Sequence, residues 1–263
     1  MNDDPVDGRK TVPLERYFQI LELLCGIPGG LGLSEVAALL GLPRATAHRL
    51  LANMRAARLV EVGAGRGQHY VLAGRVRKLA LLAAGDDLIE LLTANILKRL
   101  SSDVNETTFL ARLEGSTVHS VAMESPDTPW RGFVLPGKIL QPHATASGKA
   151  IMAFQPSETI DRVLSQQLEK LTPKTLTAPK KIEAHYGVIR KRGYATCLGE
   201  VDESLGAIAV PIHIDPIGVR FSLGLVGRLS KITRLVADDI HLRMQKDAKS
   251  IASAIHLGKN GQK

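Results

Sequence analysis

Apolar residues recur at helical spacing near the start of the chain. Leu14, Tyr17, Phe18, Leu21, Leu24 and Cys25 predict a first helix with one buried stripe. Pro28-Gly29-Gly30 ends it. Ser34 then reads as the N-cap of a short second helix carrying Val36, Leu39 and Leu40, closed by Gly41 at its C-terminal cap. Pro43 suits the first position of a third helix that buries Ala47, Leu50, Leu51 and Met54. That stripe turns Ala45, Arg49 and Asn53 outward and leaves Thr46 and His48 on its flanks. Segments 59–62 and 69–72 predict a hairpin around a glycine-rich loop, 63–67.

The pattern changes beyond residue 73. Residues 74–85 read as a connecting helix with Leu79, Leu82 and Ala83 apolar, and a further helix follows around 87–100. Strands are expected at 107–112 and 118–123, on either side of a Glu114-Gly115 turn. Loops rich in proline surround Trp130, and helices are expected at 146–154, 157–168 and 182–191. Residues 205–212 are almost continuously apolar, as a buried strand would be. Val219, Phe221, Leu223 and Leu225 alternate with Arg220, Ser222, Gly224 and Val226. One terminal helix over 231–256 carries Ile232, Leu235, Val236, Ile240, Met244, Ala248, Ile251 and Ile255 on one side. Helices mixed with antiparallel strands argue for an α+β domain.

A chain of 263 residues is long enough for two domains, each burying its own core. Cys25 and Cys197 have no CxxC partner, which argues against a disulfide framework or a structural zinc; Cys25 falls on the apolar stripe and reads as core. The start of the chain is acidic and polar, and no stretch approaches the ~20 apolar residues of a membrane span. A cytoplasmic protein without membrane contact is expected.

Formal charge is +8, with a pI near 9.6. Its distribution says more. From residue 44 to 78 stand eight basic residues (Arg44, Arg49, Arg55, Arg58, Arg66, Arg75, Arg77, Lys78) against one acid, Glu61, a net +7. A phosphate-binding face needs charge concentrated in this way. Two short helices joined by a glycine-containing turn form a helix-turn-helix, whose second helix would present Arg44, Thr46, His48 and Arg49 to a major groove. The hairpin becomes a wing, with Arg66 at its tip near a minor groove or the backbone. Any amphipathic three-helix segment can mimic this arrangement, and His48 reads equally as an exposed residue without a sequence role. The wing and the local charge favour double-stranded DNA as the partner.

The run 33–51, Leu-Ser-Glu-Val-Ala-Ala-Leu-Leu-Gly-Leu-Pro-Arg-Ala-Thr-Ala-His-Arg-Leu-Leu, resembles the winged helix of the IclR family of bacterial transcriptional regulators. Ala45 stands where that family usually has serine, so one possible phosphate contact is lost. Further segments match in order: His-Ala-Thr-Ala-Ser-Gly-Lys-Ala at 143–150, Arg-Lys-Arg-Gly-Tyr-Ala at 190–195 and Ala-Ile-Ala-Val-Pro at 207–211. The resemblance covers nearly the whole chain. It implies an N-terminal winged helix-turn-helix, mostly α with a β wing, and an α+β effector-binding domain of the GAF and PAS type. The expected division is a disordered start (1–12), the DNA-binding domain (13–73), a linker helix (74–86), the effector-binding domain (87–258) and a disordered tail (259–263). Ser34, Arg44, Ala45, Thr46, His48, Arg49 and Arg66 are the DNA-binding candidates.

The resemblance also places a small-molecule effector between the start of the 146–154 helix and the sheet. The matching positions are Ala146, Ser147, Cys197, Ala207, Gly224 and Val226. Gly224 and Val226 share one face of their strand. The helix start would favour an anion without a charged side chain touching it. Relatives that take small polar acids tend to have acids or hydroxyls at several of these positions, whereas this lining is small or apolar, and the usual acidic run is reduced to Glu200. An aromatic or otherwise hydrophobic carboxylic acid is therefore expected as effector; the alternative is that these residues merely fill a core.

Enzyme chemistry finds little support. Lys149 is followed by Ala150 rather than Ser or Thr, and His143 stands at the P-loop's first glycine position. Ser147 and Lys149 lack the S-x-x-K spacing. Cys197 with His143 would be a nucleophile and base only in theory, since a lone thiol in apolar surroundings is inert. No histidine spacing suggests a metal, and no cofactor is expected. The expectation is a homodimer or tetramer whose winged helices read a pseudo-palindromic operator of a catabolic operon under effector control. Two alternatives stay open at this level: a C-terminal domain that only oligomerises, and a small-molecule enzyme with an incidental winged helix.

Overall fold

The computed structural model describes residues 14–27, 29–63, 68–76, 79, 85–128, 132, 134–215 and 217–257, with only the backbone of residues 256 and 257. Contacts divide the chain into two compact units, one running to Ala83 and the other from Ala84 to Gly258.

In the first unit α1 (Glu15–Gly26), α2 (Leu33–Leu39) and α3 (Arg44–Ala56) accompany a three-stranded sheet. Its strands are β1 (Leu31–Gly32), β2 (Val60–Val62) and β3 (His69–Leu72), in the order β1-β3-β2. Leu31 pairs with Tyr70, so the segment between α1 and α2 joins the wing as a third strand that no periodicity announced. On α3 the stripe Ala47, Leu50, Leu51 and Met54 is buried as expected. Together with Ile20, Leu24, Val36 and Leu72 it forms one core.

Four local expectations are corrected. On α1 the buried face is Ile20 and Leu24; Phe18 and Cys25 are exposed, because this helix carries apolar residues round most of its surface and packing selects among them. Ser34 is not the cap of α2. The helix begins two residues earlier, after the cap Gly32, whose N–H donates to Glu35 Oε2 at 2.7 Å. On α2 the buried residues are Val36 and Ala37, while Leu39 is exposed. Pro43 caps α3 instead of opening it.

The turn between α2 and α3 is a Schellman closure. Gly41 N–H donates to Ala38 O and Leu42 N–H to Ala37 O, at 3.2 and 2.8 Å, and Gly41 takes φ +60°. Glycine meets this conformation without steric cost. Leu42 then enters the core and fixes the angle at which α3 leaves the turn.

The second unit is α+β. A six-stranded antiparallel sheet has the order β6-β5-β4-β9-β8-β7. Its strands are β4 (Thr107–Glu114), β5 (Thr117–Glu124), β6 (Ile139–Leu140), β7 (Ala195–Leu198), β8 (Leu205–Ile214) and β9 (Gly218–Arg228). Against them pack α4 (Asp86–Val104), α5 (Ala146–Met152), α6 (Ser157–Leu164), α7 (Pro179–Arg192), α8 (Leu229–Ala237) and α9 (Ile240–Leu257). The alternation of β8 and β9 divides the helices between two faces. A Cβ at Gly206 would meet Ile232 of α8, and Thr108 Oγ1 donates to Leu97 O of α4, so these helices cover one face. Ala207, Ala209 and Val226 belong to the other, where Ala146 and Ala150 of α5 and Tyr186 of α7 share one buried cluster with them.

The single terminal helix expected over 231–256 is two helices. The chain breaks at Asp238-Asp239, where Asp239 adopts φ +56°, although the apolar stripe continues in phase across the break. Of the connector, residues 74–76 and 79 are helical; 77–78 and 80–84 lie outside the described residues, as does Trp130.

Candidate functional site

Two surfaces concern function, one in each unit. On α3 the side chains of Arg44, Ala45, His48 and Arg49 are exposed and Thr46 is half-buried, because the buried stripe faces the core behind them. Ser34 is exposed on the first turn of α2. Ser34, Arg44 and His48 line one concave surface with Gln68 and Tyr70 at the root of the wing. His48 also borders a second concavity with Arg55 and Gln68. Gln68 was not among the sequence candidates, and only the folding of the wing beside α3 brings it there; Arg55, counted in the basic cluster, stands on α3 itself. Arg66 lies outside the described residues. Two outward residues have structural bonds: Asn53 Nδ2 donates to Tyr17 Oη at 3.0 Å, and Arg75 Nη1 to Ala57 O at 2.9 Å, just past the end of α3.

In the second unit the sheet register brings the effector candidates into line. Cys197, Ala207, Val226 and Thr107 form one cross-strand row over β7, β8, β9 and β4. Ala195, Ala209, Gly224 and Phe109 form the next. Ala146, Cys197 and Val226 share a buried cluster, with Ala207 packed against it. Gly132 closes on Val226: a Cβ there would stand 3.2 Å from the valine Cγ1. Ser147, 1% exposed, has a hydroxyl without a hydrogen-bond partner among the described residues.

The space over Gly224 is not open. A Cβ added there would meet the Phe109 ring at 2.3 Å, so the ring of the cross-strand partner covers the glycine. Phe109 belongs to this face, and sequence spacing alone did not single it out.

The loop before α5 is fixed by its own polar atoms. Thr145 Oγ1 donates to Gln141 O and accepts from Gly148 N–H, at 2.8 and 3.1 Å. One first-turn donor is thereby engaged, and α5 is only seven residues long, so the helix start offers less to an anion than its sequence implied. The stronger charge is Lys149. Its ammonium is 1% exposed and bonds both carboxylate oxygens of Glu200, at 2.6 and 2.7 Å. This pair, 51 residues apart in sequence, left no sequence signal. Burial pushes the Cys197 thiol up despite the nearby Lys149, so it stays protonated and is no nucleophile at neutral pH.

Comparison with known proteins identifies both units. Residues 13–63 match the IclR helix-turn-helix domain and residues 84–253 the bacterial transcriptional regulator IclR C-terminal domain. The chain belongs to the IclR family. Members of this family are transcriptional regulators, not enzymes. The SauR regulator of Cupriavidus necator is 34% identical over 203 residues, covering 75% of this chain and 78% of its own. The glycerol operon regulatory protein of Streptomyces griseus is 31% identical over 236 residues, 88% of this chain and 89% of its own. An IclR homologue from Microbacterium hydrocarbonoxydans, solved in complex with 4-hydroxybenzoate, shares the fold at a TM-score of 0.57 and 23% identity, covering 92% of this chain and 98% of its own. This IclR-family chain is thus a transcriptional regulator with a DNA-binding helix-turn-helix and a C-terminal effector domain. Among the described residues no helix is long and apolar enough to cross a membrane, and no cluster suits a metal ion.

One titratable group of the regulator gives a pH prediction. Burial first, then the charges of Lys149 and Arg192, push His185 down from 6.5 to about 4. Between those values the unfolded chain binds the proton more readily than the folded one. The stability that depends on neutral His185 is therefore complete above pH 6.5 and declines as pH falls towards about 4. His185→Gln is expected to flatten the fall of unfolding free energy, measured by denaturant titration across this window, by less than ~1.4 kcal/mol per pH unit for a half-buried group. An unchanged profile would assign the acid sensitivity elsewhere.

Proposed function

We propose that this regulator controls a catabolic operon in response to a carboxylic acid with an aromatic or otherwise apolar body. The observation that carries the reading is the convergence of Ala146, Cys197, Ala207 and Val226 on one buried face, beside a Ser147 hydroxyl that has no hydrogen-bond partner among the described residues. An apolar surface with few polar groups selects a ligand with a hydrophobic body and one anchored end. The Microbacterium homologue's complex with 4-hydroxybenzoate supports a ring-bearing acid on this fold.

On the DNA side, Arg44, Ala45, Thr46, His48 and Arg49 would enter the major groove, with Ser34 at the backbone and Arg66 on the wing. Two such units in a homodimer, or pairs of them in a tetramer, would read a pseudo-palindrome. Effector binding shifts operator affinity only if the ligand prefers one arrangement of the assembly.

Thermal unfolding of the full chain against glyoxylate, pyruvate, benzoate and a phenylpropanoid acid tests the sensor. A ligand at 100 times its Kd adds about 2.7 kcal/mol. Stabilisation by the aromatic acids alone is the expected result. Stabilisation by glyoxylate or pyruvate alone would discard the apolar-ligand reading, and none by any acid would favour a domain that only oligomerises.

A further inference from the structure

The Phe109 ring lies over the glycine of the neighbouring strand. Phe109 and Gly224 are direct cross-strand partners on β4 and β9. A Cβ on Gly224 would lie 2.3, 2.6 and 2.8 Å from the ring's Cζ, Cε1 and Cε2. The tip of the ring therefore rests on the glycine backbone, and the ring lies across the sheet rather than standing away from it. Only glycine at 224 permits this, since any side chain would occupy the same volume.

Two neighbours on β9 give the ring its meaning. Val226 and Ser222 flank Gly224 on the same face, each about 7 Å away along the strand. On the Val226 side lies the row Cys197–Ala207–Val226, small and apolar, where the effector is proposed to sit. On the other side Ser222 is fully buried, and its hydroxyl has no hydrogen-bond partner among the described residues. A buried hydroxyl left unpaired on an apolar face is costly unless something bonds it. The ring stands between the row and this hydroxyl.

We propose that Phe109 is the specificity-determining residue of the effector site, a partition that admits a one-ring acid over the Cys197–Ala207–Val226 row and bars longer acids from Ser222. The proposal rests on the effector occupying this face. Phe109 sets the length of the site from its floor, and the ring's flat face offers an aromatic ligand an edge or offset contact. Gly224 serves the same end by leaving the ring room to lie down.

The test uses the full chain, its Phe109→Ala and Phe109→Leu variants, and calorimetric titration with benzoate and with 4′-hydroxybiphenyl-4-carboxylate. The second acid carries an extra ring and a polar tip that reaches towards Ser222. Wild type is expected to bind benzoate and to take the longer acid at least about tenfold more weakly, the discrimination a tight apolar wall supplies. Phe109→Ala should reverse the order, losing about tenfold for benzoate and gaining about tenfold for the longer acid. Adding Ser222→Ala to that variant should cancel the gain. Phe109→Leu keeps the core filled and should move the ratio of the two affinities in the same direction, so the result does not depend on the alanine variant folding. A ratio unchanged within threefold in folded Phe109→Leu, with wild type binding benzoate, overturns the partition and leaves the effector reading intact. Wild type binding neither acid overturns both.

Discussion

Glu200→Ala is expected to destabilise the effector domain by about 3–5 kcal/mol, the cost of stranding a buried charge. Lys149 is 1% exposed and bonds both oxygens of Glu200, so its ammonium would have no counter-charge once the carboxylate is gone. The loop that carries Glu200 is itself fixed: Thr175 Oγ1 donates to Glu200 O and Thr172 Oγ1 to Gly199 O, at 2.6 and 2.8 Å. The loop therefore cannot readily move aside to let water reach Lys149. Denaturant unfolding of the single variant and of Lys149→Met/Glu200→Leu checks this. The double variant should recover most of the loss, because paired apolar side chains remove the stranded charge. A single-variant loss below ~1 kcal/mol would show that the pair behaves like a surface ion pair. The pair ties α5 to the loop after β7, so benzoate affinity should fall with stability in the single variant and return in the double.

Arg49→Ala is expected to weaken operator binding by about 1–3 kcal/mol per half-site, or roughly 5- to 150-fold, while leaving stability within ~0.5 kcal/mol. The side chain is exposed on α3, opposite the stripe that holds the helix in the core, so its removal costs the fold little. The measurement is titration of a duplex selected from a randomised library, repeated at two salt concentrations. A base contact lowers affinity for the selected sequence above all others. A phosphate contact lowers it uniformly and reduces the salt slope by about one. Loss of DNA binding together with a lower unfolding midpoint would show a folding defect and remove Arg49 from the proposed interface.

The winged helix was legible in the sequence because its information is local. A period of 3.6 over 44–56, a glycine at the turn and a short hairpin each speak through neighbouring residues. The C-terminal strands were legible for the same reason, since near-continuous apolar runs and alternation survive without knowledge of partners. Failures followed the opposite case. On α1 too many apolar residues offered more than one possible stripe, and only its neighbours selected Ile20 and Leu24. At Asp238-Asp239 the stripe stays in phase, so periodicity could not reveal a break that the left-handed conformation of Asp239 creates. Two-residue β1 is too short to have a period at all.

The candidate site divides along the same line. The sequence by itself determined the family, the two domain types, the outward residues of α3 and the small apolar character of the effector candidates. Each of these depends on residue identity and short spacing. Tertiary structure alone decided that Cys197, Ala207 and Val226 stand in one cross-strand row, that Lys149 meets Glu200, that Gln68 borders α3, and that the Phe109 ring covers Gly224. Those are contacts between residues 10 to 115 apart in the chain. Strand register and helix docking set them, because a one-residue slip of a strand would turn every one of its side chains to the other face.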